Sequence, residues 1–228
     1  MEPTVLHLDN HVIAVWKPAG LLTQGDHSGE PNLLDEVKRW IARTYDKPGN
    51  VFLGLLHRLD RPVAGVVLFA RTSKAASRLS EQFRARAIEK TYWALVQGRL
   101  EPAAGRLTHF IESREERAGV IAHDSPGPGR KEARLGYQTI STTGDVSAIE
   151  LTLETGRKHQ IRAQLSAIGH PILGDFAYRA KHAFSGAGIA LVAKRLSFVH
   201  PVSKHALSIE VPSELCPVRA WLAHSNGN

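Results

Sequence analysis

The sequence predicts an α+β fold: a single domain over residues 1–228, with its core at about 5–212, in which a central mixed, mainly antiparallel β-sheet is flanked by helices. Two patterns support this prediction. Short apolar runs rich in Val, Leu, Ile and Phe stand between turns that contain Gly or Pro, as strands do. Three longer stretches repeat apolar residues every three or four positions, which is typical of amphipathic helices that pack on a sheet.

The predicted strands follow one another along the whole chain. They are residues 12–16, 51–56, 66–70, 93–97, 148–154, 196–198 and 207–211. In 148–154 apolar and polar residues alternate strictly, so this strand should have one buried face and one exposed face. Residues 112–134 contain the charge run ESREER and the turn-forming run SPGPG, and we expect a hairpin or an exposed loop on an arm of the sheet.

The predicted helices have recognisable ends. They span residues 33–45, 74–88 and 159–168. Asn32 precedes the first helix and Ser73 the second, and side chains of this kind cap the free N–H groups of a first turn. Gly169 follows the third, where glycine commonly ends a helix.

The composition favours a polyanionic partner and a reducing compartment. Lys and Arg outnumber Asp and Glu by 29 to 22, a net charge of +7, which favours nucleic acid without establishing it. The single cysteine, Cys216, excludes a disulfide framework and a Cys-based zinc site, and no HExxH-like spacing occurs among the 12 His. No stretch approaches the roughly 20 apolar residues of a membrane span, and the N-terminus has no signal-peptide core. We therefore expect a cytoplasmic protein with no membrane and no metal.

A polar segment, residues 57–62 (HRLDRP), separates two apolar runs and places one carboxylate, Asp60, between Arg58 and Arg61. Two interpretations are open. An Asp beside Pro commonly forms a turn by hydrogen bonding to its own backbone. A carboxylate at the end of a buried sheet is alternatively suited to acid–base or nucleophilic catalysis.

A second polar cluster, residues 156–159 (GRKH), precedes the third predicted helix. Backbone N–H groups and the helix dipole favour an anion at such an end. Arg162 lies at the margin of the apolar stripe, and a buried arginine nearly always has a carboxylate partner, for which Asp60 is a candidate. Alternatively, Arg157, Lys158 and Arg162 simply coat an exposed helix.

Two further residues have two interpretations each. Lys17 opens a turn, KPAG, and either contacts phosphate or is an ordinary solvated lysine. Tyr92 leads a predicted strand, and its ring either packs in the core or stacks on a nucleic-acid base.

These segments form an ordered set of motifs. The motifs are HRLD at 57–60, followed by a Gly-closed apolar strand, KTYWALVQG at 90–98, and TGRKHQIRAQL at 155–165 with GHPILGD at 169–175. In this order and at these spacings they resemble the RluA-type family of pseudouridine synthases. The similarity extends over roughly residues 5–212 and implies the fold of that family.

The resemblance implies a role for each matching residue. Asp60 is expected to be the catalytic residue, Tyr92 to stack on the target base, and Arg162 to pair with Asp60. Arg58 matches the arginine that helps displace the target nucleotide, and the KPAG turn matches the family's opening motif. The residues expected to contact RNA are Lys17, Arg58, Arg61, Lys90, Arg157, Lys158 and His159.

The chain departs from the family pattern at a few positions. Val63-Ala64-Gly65 stands where Thr-Ser-Gly is usual, Lys158 where Thr is common, and Gln164 where His is common. These departures bear on substrate choice more than on chemistry. Because the chain begins almost at its KPAG motif, we expect it to lack the small RNA-binding domain that many members carry in front, so the catalytic domain itself would select the substrate.

The implied activity is isomerisation of a specific uridine in structured ribosomal or transfer RNA to pseudouridine, by a monomer without a cofactor. One alternative is a non-catalytic RNA-binding protein that retains the fold, although binding alone needs no ionised carboxylate such as Asp60. Another is a hydrolase built from Ser166, His159 and Asp60. The hydrolase is disfavoured because the chain has no GxSxG elbow and Ser166 falls within a predicted helix.

Overall fold

The computed structural model describes residues 2–113 and 119–225, except for the side chains of 220 and 223–225. The strands of these residues are, in chain order, β1 (Val5–Leu8), β2 (Val12–Lys17), β3 (Gly54–Leu55), β4 (Ala64–Ala70), β5 (Glu89–Gln97), β6 (Ala104–Ser113), β7 (Val120–His123), β8 (Lys131–Thr143), β9 (Val146–Leu153), β10 (Leu191–Val199) and β11 (Ala206–Glu210). The α-helices are α1 (Leu33–Thr44), α2 (Ser73–Arg84), α3 (Gln160–Ala167) and α4 (Pro217–Ser225). Short 3₁₀ turns span Phe176–Tyr178 and Ser213–Leu215.

The chain divides into two compact units. Unit 1 contains the described residues of 1–89 together with 193–212. Unit 2 contains the described residues of 90–192 together with 213–228.

In unit 1 the strands lie in the order β1-β2-β4-β10, with β3 beside β4 and β11 beside β10. The pairs β1–β2, β2–β4, β3–β4 and β10–β11 are antiparallel. All seven residues of β4 are buried, in keeping with its unbroken apolar sequence. Helix α2 packs against β3 and β4, and α1 buries the stripe Leu33, Val37 and Ile41.

In unit 2 the strands lie in the order β5-β9-β8-β6-β7, and every neighbouring pair is antiparallel. The alternation predicted for this segment is present in β9, where Ile149 and Leu151 are buried and Thr152 is exposed. Helix α3 packs against β6 and β7, which buries Ile161 and Leu165.

The predicted α+β class, with a mixed, mainly antiparallel sheet flanked by helices, is confirmed, whereas the single-domain boundaries stay a prediction. The cap of α1 is also confirmed, since the Asn32 side chain accepts a hydrogen bond from the Asp35 N–H at 3.0 Å. The predicted cap of α2 is wrong by one residue. Thr72 has the extended backbone of a cap and accepts from the Ala75 N–H at 3.2 Å, so Ser73 is already helical.

The strand predicted at 51–56 is wrong over most of its length. Only Gly54–Leu55 pairs with β4, and Phe52 is 51% exposed. The added Cβ of an alanine at Gly54 would lie 3.0 Å from the Ala76 Cβ of α2. The close approach of α2 therefore selects glycine here, and apolar character alone does not make this segment a strand.

The arm predicted at 112–134 is built from paired strands. Antiparallel pairing of β6 with β7 runs from Phe110–His123 to Ser113–Val120, and β6 also pairs with β8. Residues 114–118, which include most of the charge run, lie outside the described residues. In the described parts of the chain, no helix is both long and apolar enough to cross a membrane.

Candidate active site

The loop that carries Asp60 in unit 1 is anchored on both sides of this residue. The Thr23 hydroxyl donates to the Leu59 carbonyl at 2.8 Å, and the Leu59 N–H lies 3.2 Å from the same hydroxyl oxygen. After Asp60, the Val63 N–H donates to the Asp60 carbonyl at 3.0 Å, which closes a tight turn. Asp60 itself is half-buried, so its carboxylate is held on a fixed backbone without being sealed in the core.

Lys17 holds this loop through hydrogen bonds to backbone carbonyls. Its side chain is fully buried, and Nζ donates to the carbonyls of Pro18, Leu21 and Arg61 at 3.1, 2.7 and 3.2 Å. Burial lowers the pKa of Lys17 from its ordinary value of 10.5 to about 8, and the negative charge of Asp60 acts in the opposite direction. The interpretation of Lys17 as a solvated lysine is therefore wrong, because its ammonium is buried and binds backbone carbonyls. A contact of Lys17 with an RNA phosphate stays a prediction.

The loop ends at a position where only glycine fits. Gly65 has a φ of 141°, and an added Cβ would come within 2.6 Å of the Ala193 backbone. Val63 and Ala64 are buried beside it, so the two hydroxyl residues usual in the family are replaced by apolar packing. This departure changes how the loop packs.

The two arginines of HRLDRP differ in their surroundings. Arg61 is exposed, but its guanidinium makes two bonds to Glu30, of 3.1 and 2.6 Å, and a third to the Gly20 carbonyl at 3.1 Å. Arg58 is exposed too, with no ion pair to an acid among those described. Arg61 therefore ties the segment around Gly20 to the Asp60 loop, and Arg58 is the better candidate for an RNA phosphate.

His57 was not assigned a role from the sequence, and the structure gives it a structural one. Its Nε2 accepts a hydrogen bond from the Leu68 N–H at 3.0 Å, and its ring stacks on Phe83 with centroids 5.2 Å apart. The start of the HRLD motif is thereby joined to β4 and α2.

In unit 2, Tyr92 and Lys90 lie on β5. Tyr92 is opposite Leu151 of β9, and only 9% of it is exposed, so most of the ring contributes to the core. The Nζ of Lys90 lies 3.2 Å from where a Cβ on Gly156 would be. The absence of a side chain at Gly156 therefore leaves room for the Lys90 ammonium at the start of the GRKH cluster.

The turn that precedes α3 is fixed by the side chain of Gln160. Its Oε1 accepts from the Thr155 hydroxyl at 2.8 Å and from the Arg157 N–H at 3.0 Å. Its Nε2 donates to the Arg134 carbonyl of β8 at 3.0 Å. His159 takes a left-handed backbone conformation, with a φ of 50°, where the helix begins.

The three basic residues of the cluster differ in exposure. Lys158 is exposed and Arg157 is half-buried, with its Nε donating to the Glu132 carbonyl at 3.0 Å. The Nδ1 of His159 lies 2.8 Å from the Tyr178 hydroxyl. Lys158 therefore remains the most accessible of the three for RNA, whereas Arg157 and His159 help to hold the turn.

Arg162 is 6% exposed and has a carboxylate partner, as its predicted burial requires. Its Nε and Nη2 donate to the two carboxylate oxygens of Asp175, both at 2.7 Å, and its guanidinium carbon lies 4.7 Å from the centre of the Tyr178 ring. The alternative in which this residue coats an exposed helix is wrong. The pairing of Arg162 with Asp60 stays a prediction.

Asp175 and Tyr178 were missed by sequence reasoning. Asp175 closes the GHPILGD motif and is 1% exposed. An acid two residues after the apolar pair Ile172-Leu173 is the signal that could have identified it as the partner of a buried cation.

Gln164, another departure from the family pattern, is a residue of the core. It is fully buried, and its Nε2 lies 3.3 Å from the Leu107 carbonyl, 3.2 Å from the Ala133 carbonyl and 3.1 Å from Nδ1 of His109. Burial lowers the pKa of His109, with Asp124 acting in the opposite direction, which favours the neutral ring that can accept from an amide. Gln164 therefore joins α3 to β6 and β8.

Across residues 2–113 and 119–225, no group of three or more His, Cys, Asp or Glu side chains is arranged to hold a metal ion.

Sequence comparisons identify related proteins. A family model described as RNA pseudouridylate synthase matches residues 11–167. The dual-specificity RNA pseudouridine synthase RluA of Pasteurella multocida is 33% identical over 213 residues, which cover 91% of this chain and 92% of that protein. An uncharacterized RNA pseudouridine synthase of Bacillus subtilis, YhcT, is 31% identical over 221 residues, which cover 92% of this chain and 68% of that protein.

Solved structures show the same fold. Human RNA pseudouridylate synthase domain containing 4 matches with a TM-score of 0.78 at 25% identity, over 96% of this chain and 93% of that one. Human RNA pseudouridylate synthase domain containing 1, at 21% identity, shows the fold alone, with a TM-score of 0.72 over 92% of this chain and 83% of that one. Together with the matching family model and the relatives above 30% identity, these findings show that the chain belongs to the RluA-type family of RNA pseudouridine synthases and is an isomerase.

Proposed function

We propose that this enzyme converts a specific uridine of structured ribosomal or transfer RNA to pseudouridine, with Asp60 as the carboxylate that acts on the ribose. The observation that carries the proposal is the placement of Asp60. It is half-buried in a turn whose backbone is anchored through Leu59 and Arg61, and its negative charge opposes the lowering of the Lys17 pKa by burial.

The reaction needs little more than a positioned carboxylate. The N1–C1′ bond of uridine breaks, the base rotates, and C5 bonds to C1′, after which C5 loses its proton and N1 regains one. Atoms and electrons balance within the nucleotide, so neither an oxidant nor a group donor enters the proposal. An ionised Asp60 can attack C1′ as a nucleophile or remove a ribose proton during elimination.

The other site residues are proposed to hold the nucleotide. A stacked uridine cannot reach the carboxylate, and turning it out of the helix costs a few kcal/mol. Tyr92 would recover part of this cost by stacking on the uracil, and Arg58 and Lys158, which are both exposed, would bind the distorted backbone through its phosphates. Arg162 would pair with Asp60 and favour its charged form.

The class of RNA that the enzyme modifies is a further part of the proposal. The Pasteurella multocida relative is named as a dual-specificity enzyme, which supports testing ribosomal and transfer RNA side by side. We also propose that the enzyme acts as a monomer in the cytoplasm, and the single cysteine is compatible with a reducing compartment.

The test uses RNA from cells that lack this gene. The purified protein is incubated with their ribosomal and transfer RNA, and pseudouridine is mapped at nucleotide resolution before and after. We expect new pseudouridine at one or a few positions that are modified in cells containing the gene. Binding of these RNAs without any new pseudouridine would instead support the non-catalytic alternative.

A further inference from the structure

Arg162 is held by two side chains of one short segment, residues 175–178. We propose that Asp175 and Tyr178 are positioning residues of the isomerase site, which fix the direction and the plane of the Arg162 guanidinium. This inference rests on the proposed function, in which the same guanidinium pairs with Asp60. Nothing in the GHPILGD motif or in the family resemblance assigns these two residues a task.

Asp175 fixes the direction of the guanidinium. The group is planar and carries five N–H bonds in a rigid fork. Asp175 accepts from Nε and from Nη2, both at 2.7 Å, and so occupies one edge of the fork in a bidentate geometry. The edge formed by Nη1 and the outer N–H of Nη2 then points in a single direction, which is the edge able to meet a second anion.

Tyr178 fixes the plane of the guanidinium. The guanidinium carbon lies 4.7 Å from the centre of its ring, which is the distance of a cation–π contact. The ring is itself immobilised, because its hydroxyl accepts from the Val120 N–H at 3.0 Å and lies 2.8 Å from Nδ1 of His159. Tyr178 therefore joins Arg162 to the first residue of β7 and to the start of α3.

The backbone of the segment is equally constrained. The N–H groups of Tyr178 and Ala180 both donate to the Asp175 carbonyl, at 2.9 and 3.1 Å, and the Asp175 N–H donates to the Ile172 carbonyl at 3.0 Å. Asp175 and Tyr178 are 1% and 8% exposed. Because both supports are buried and tied to the backbone, Arg162 cannot reorient without breaking them.

A buried ion pair can also be merely structural, and the two roles differ in what a mutation changes. A structural pair affects folding and RNA binding. A positioning pair affects the rate of the bound complex, since a displacement of about 1 Å can cost roughly a hundredfold in rate. The informative quantity is therefore the single-turnover rate at saturating RNA, measured beside the RNA dissociation constant and the melting temperature.

The experiment uses RNA labelled with tritium at C5 of uridine, which pseudouridine formation releases into water. Activity of the wild-type enzyme tests the proposed function first, and the variants then test the positioning role. We expect Asp175→Asn to lower the single-turnover rate roughly a hundredfold, with the RNA dissociation constant within about twofold of wild type. The control is Arg106→Gln, which removes an exposed ion pair with Glu154 elsewhere in unit 2 and should leave the rate unchanged.

A second pair of variants separates the ring of Tyr178 from its hydroxyl. Tyr178→Phe keeps the ring beside Arg162 and should retain the rate within about threefold, whereas Tyr178→Leu should lose about thirtyfold, the factor that corresponds to a desolvated cation–π contact. This pair of variants tests the positioning role if Asp175→Asn does not fold.

A double variant tests whether Asp175 acts through Arg162. When Arg162 is already Lys, Asp175→Asn should lower the single-turnover rate by no more than about twofold, because it acts only through Arg162. The proposal is overturned if Asp175→Asn keeps the wild-type rate, or if Tyr178→Leu and Tyr178→Phe have equal rates.

Discussion

The Nζ of Lys17 lies 3.2 Å from the carbonyl oxygen of Arg61, the residue that follows Asp60 in the chain. This bond joins the end of β2 to the proposed catalytic loop across 44 positions of sequence. A lysine buried to this degree raises the free energy of the folded state, and its contacts indicate which interactions offset this cost. It holds the loop through three carbonyls and places a positive charge beside the carboxylate.

The depressed pKa of Lys17 predicts a dependence of stability on pH. The pKa is about 8 in the folded protein, against its ordinary value of 10.5, so between these values the unfolded chain binds more protons than the folded one. The free energy of unfolding should therefore rise as pH increases from about 8 to about 10.

Urea unfolding of the wild type and of Lys17→Met at several pH values measures this effect, with the variant as the reference that lacks the group. We expect the difference between the two proteins to grow in favour of the wild type across the alkaline range. A difference that stays constant from pH 7 to pH 10 would contradict the lowered pKa of the buried lysine.

The Gly65 position predicts a large loss of stability on substitution. Gly65→Ala combines a φ of 141° with a Cβ within 2.6 Å of the Ala193 backbone, and such strain and overpacking each cost about 1–3 kcal/mol. The control is Gly49→Ala, which has a φ of 85° but open space around it.

Denaturant unfolding should show a greater loss for Gly65→Ala than for Gly49→Ala, and enzyme activity should fall with it because the Asp60 loop ends here. Similar losses for the two variants would show that the contact with Ala193 is not important.

The Tyr92 ring predicts a distinction between three variants. Tyr92→Phe should keep most of the activity because the aromatic face remains. Tyr92→Leu fills the same core space without that face, and the loss of base stacking, about 1–3 kcal/mol, should lower kcat/KM by roughly tenfold or more. Tyr92→Ala should lower the activity further. Because only 9% of Tyr92 is exposed, this substitution also leaves a cavity in the core.

Single-turnover assays and melting temperatures together separate these effects. If Tyr92→Leu were as active as Tyr92→Phe, the ring would serve only the core, which is the interpretation that burial alone favours.

Local patterns predicted the elements around the site better than they predicted its side chains. The Asn32 cap and the alternation in β9 were predictable because capping and strand pairing depend on residues near in sequence. The burial of Lys17 was not predictable, because the acceptors of its hydrogen bonds include a carbonyl 44 positions away in the sequence. A turn lysine is exposed by default, and only the assembled loop shows otherwise.

The partner of Arg162 illustrates the same limit. Sequence reasoning predicted a buried arginine that needs a carboxylate, and the structure shows Asp175 in that position. The sequence makes Asp60 a candidate because it is a carboxylate beside a buried strand, whereas Asp175 is 13 residues after Arg162 and is brought to it by the turn after α3. The sequence therefore predicts that Arg162 needs a carboxylate partner, but it does not identify Asp175 as one.

The most direct test of this account is the single-turnover rate of Asp60→Asn on RNA labelled with tritium at C5 of uridine. Asparagine keeps the shape of the side chain and removes the charge, so the anchored loop should persist and RNA should bind within about twofold of wild type. We predict rapid tritium release by the wild-type enzyme and none above background by Asp60→Asn. Tritium release by purified Asp60→Asn at a rate near that of the wild type would contradict the role assigned to this carboxylate.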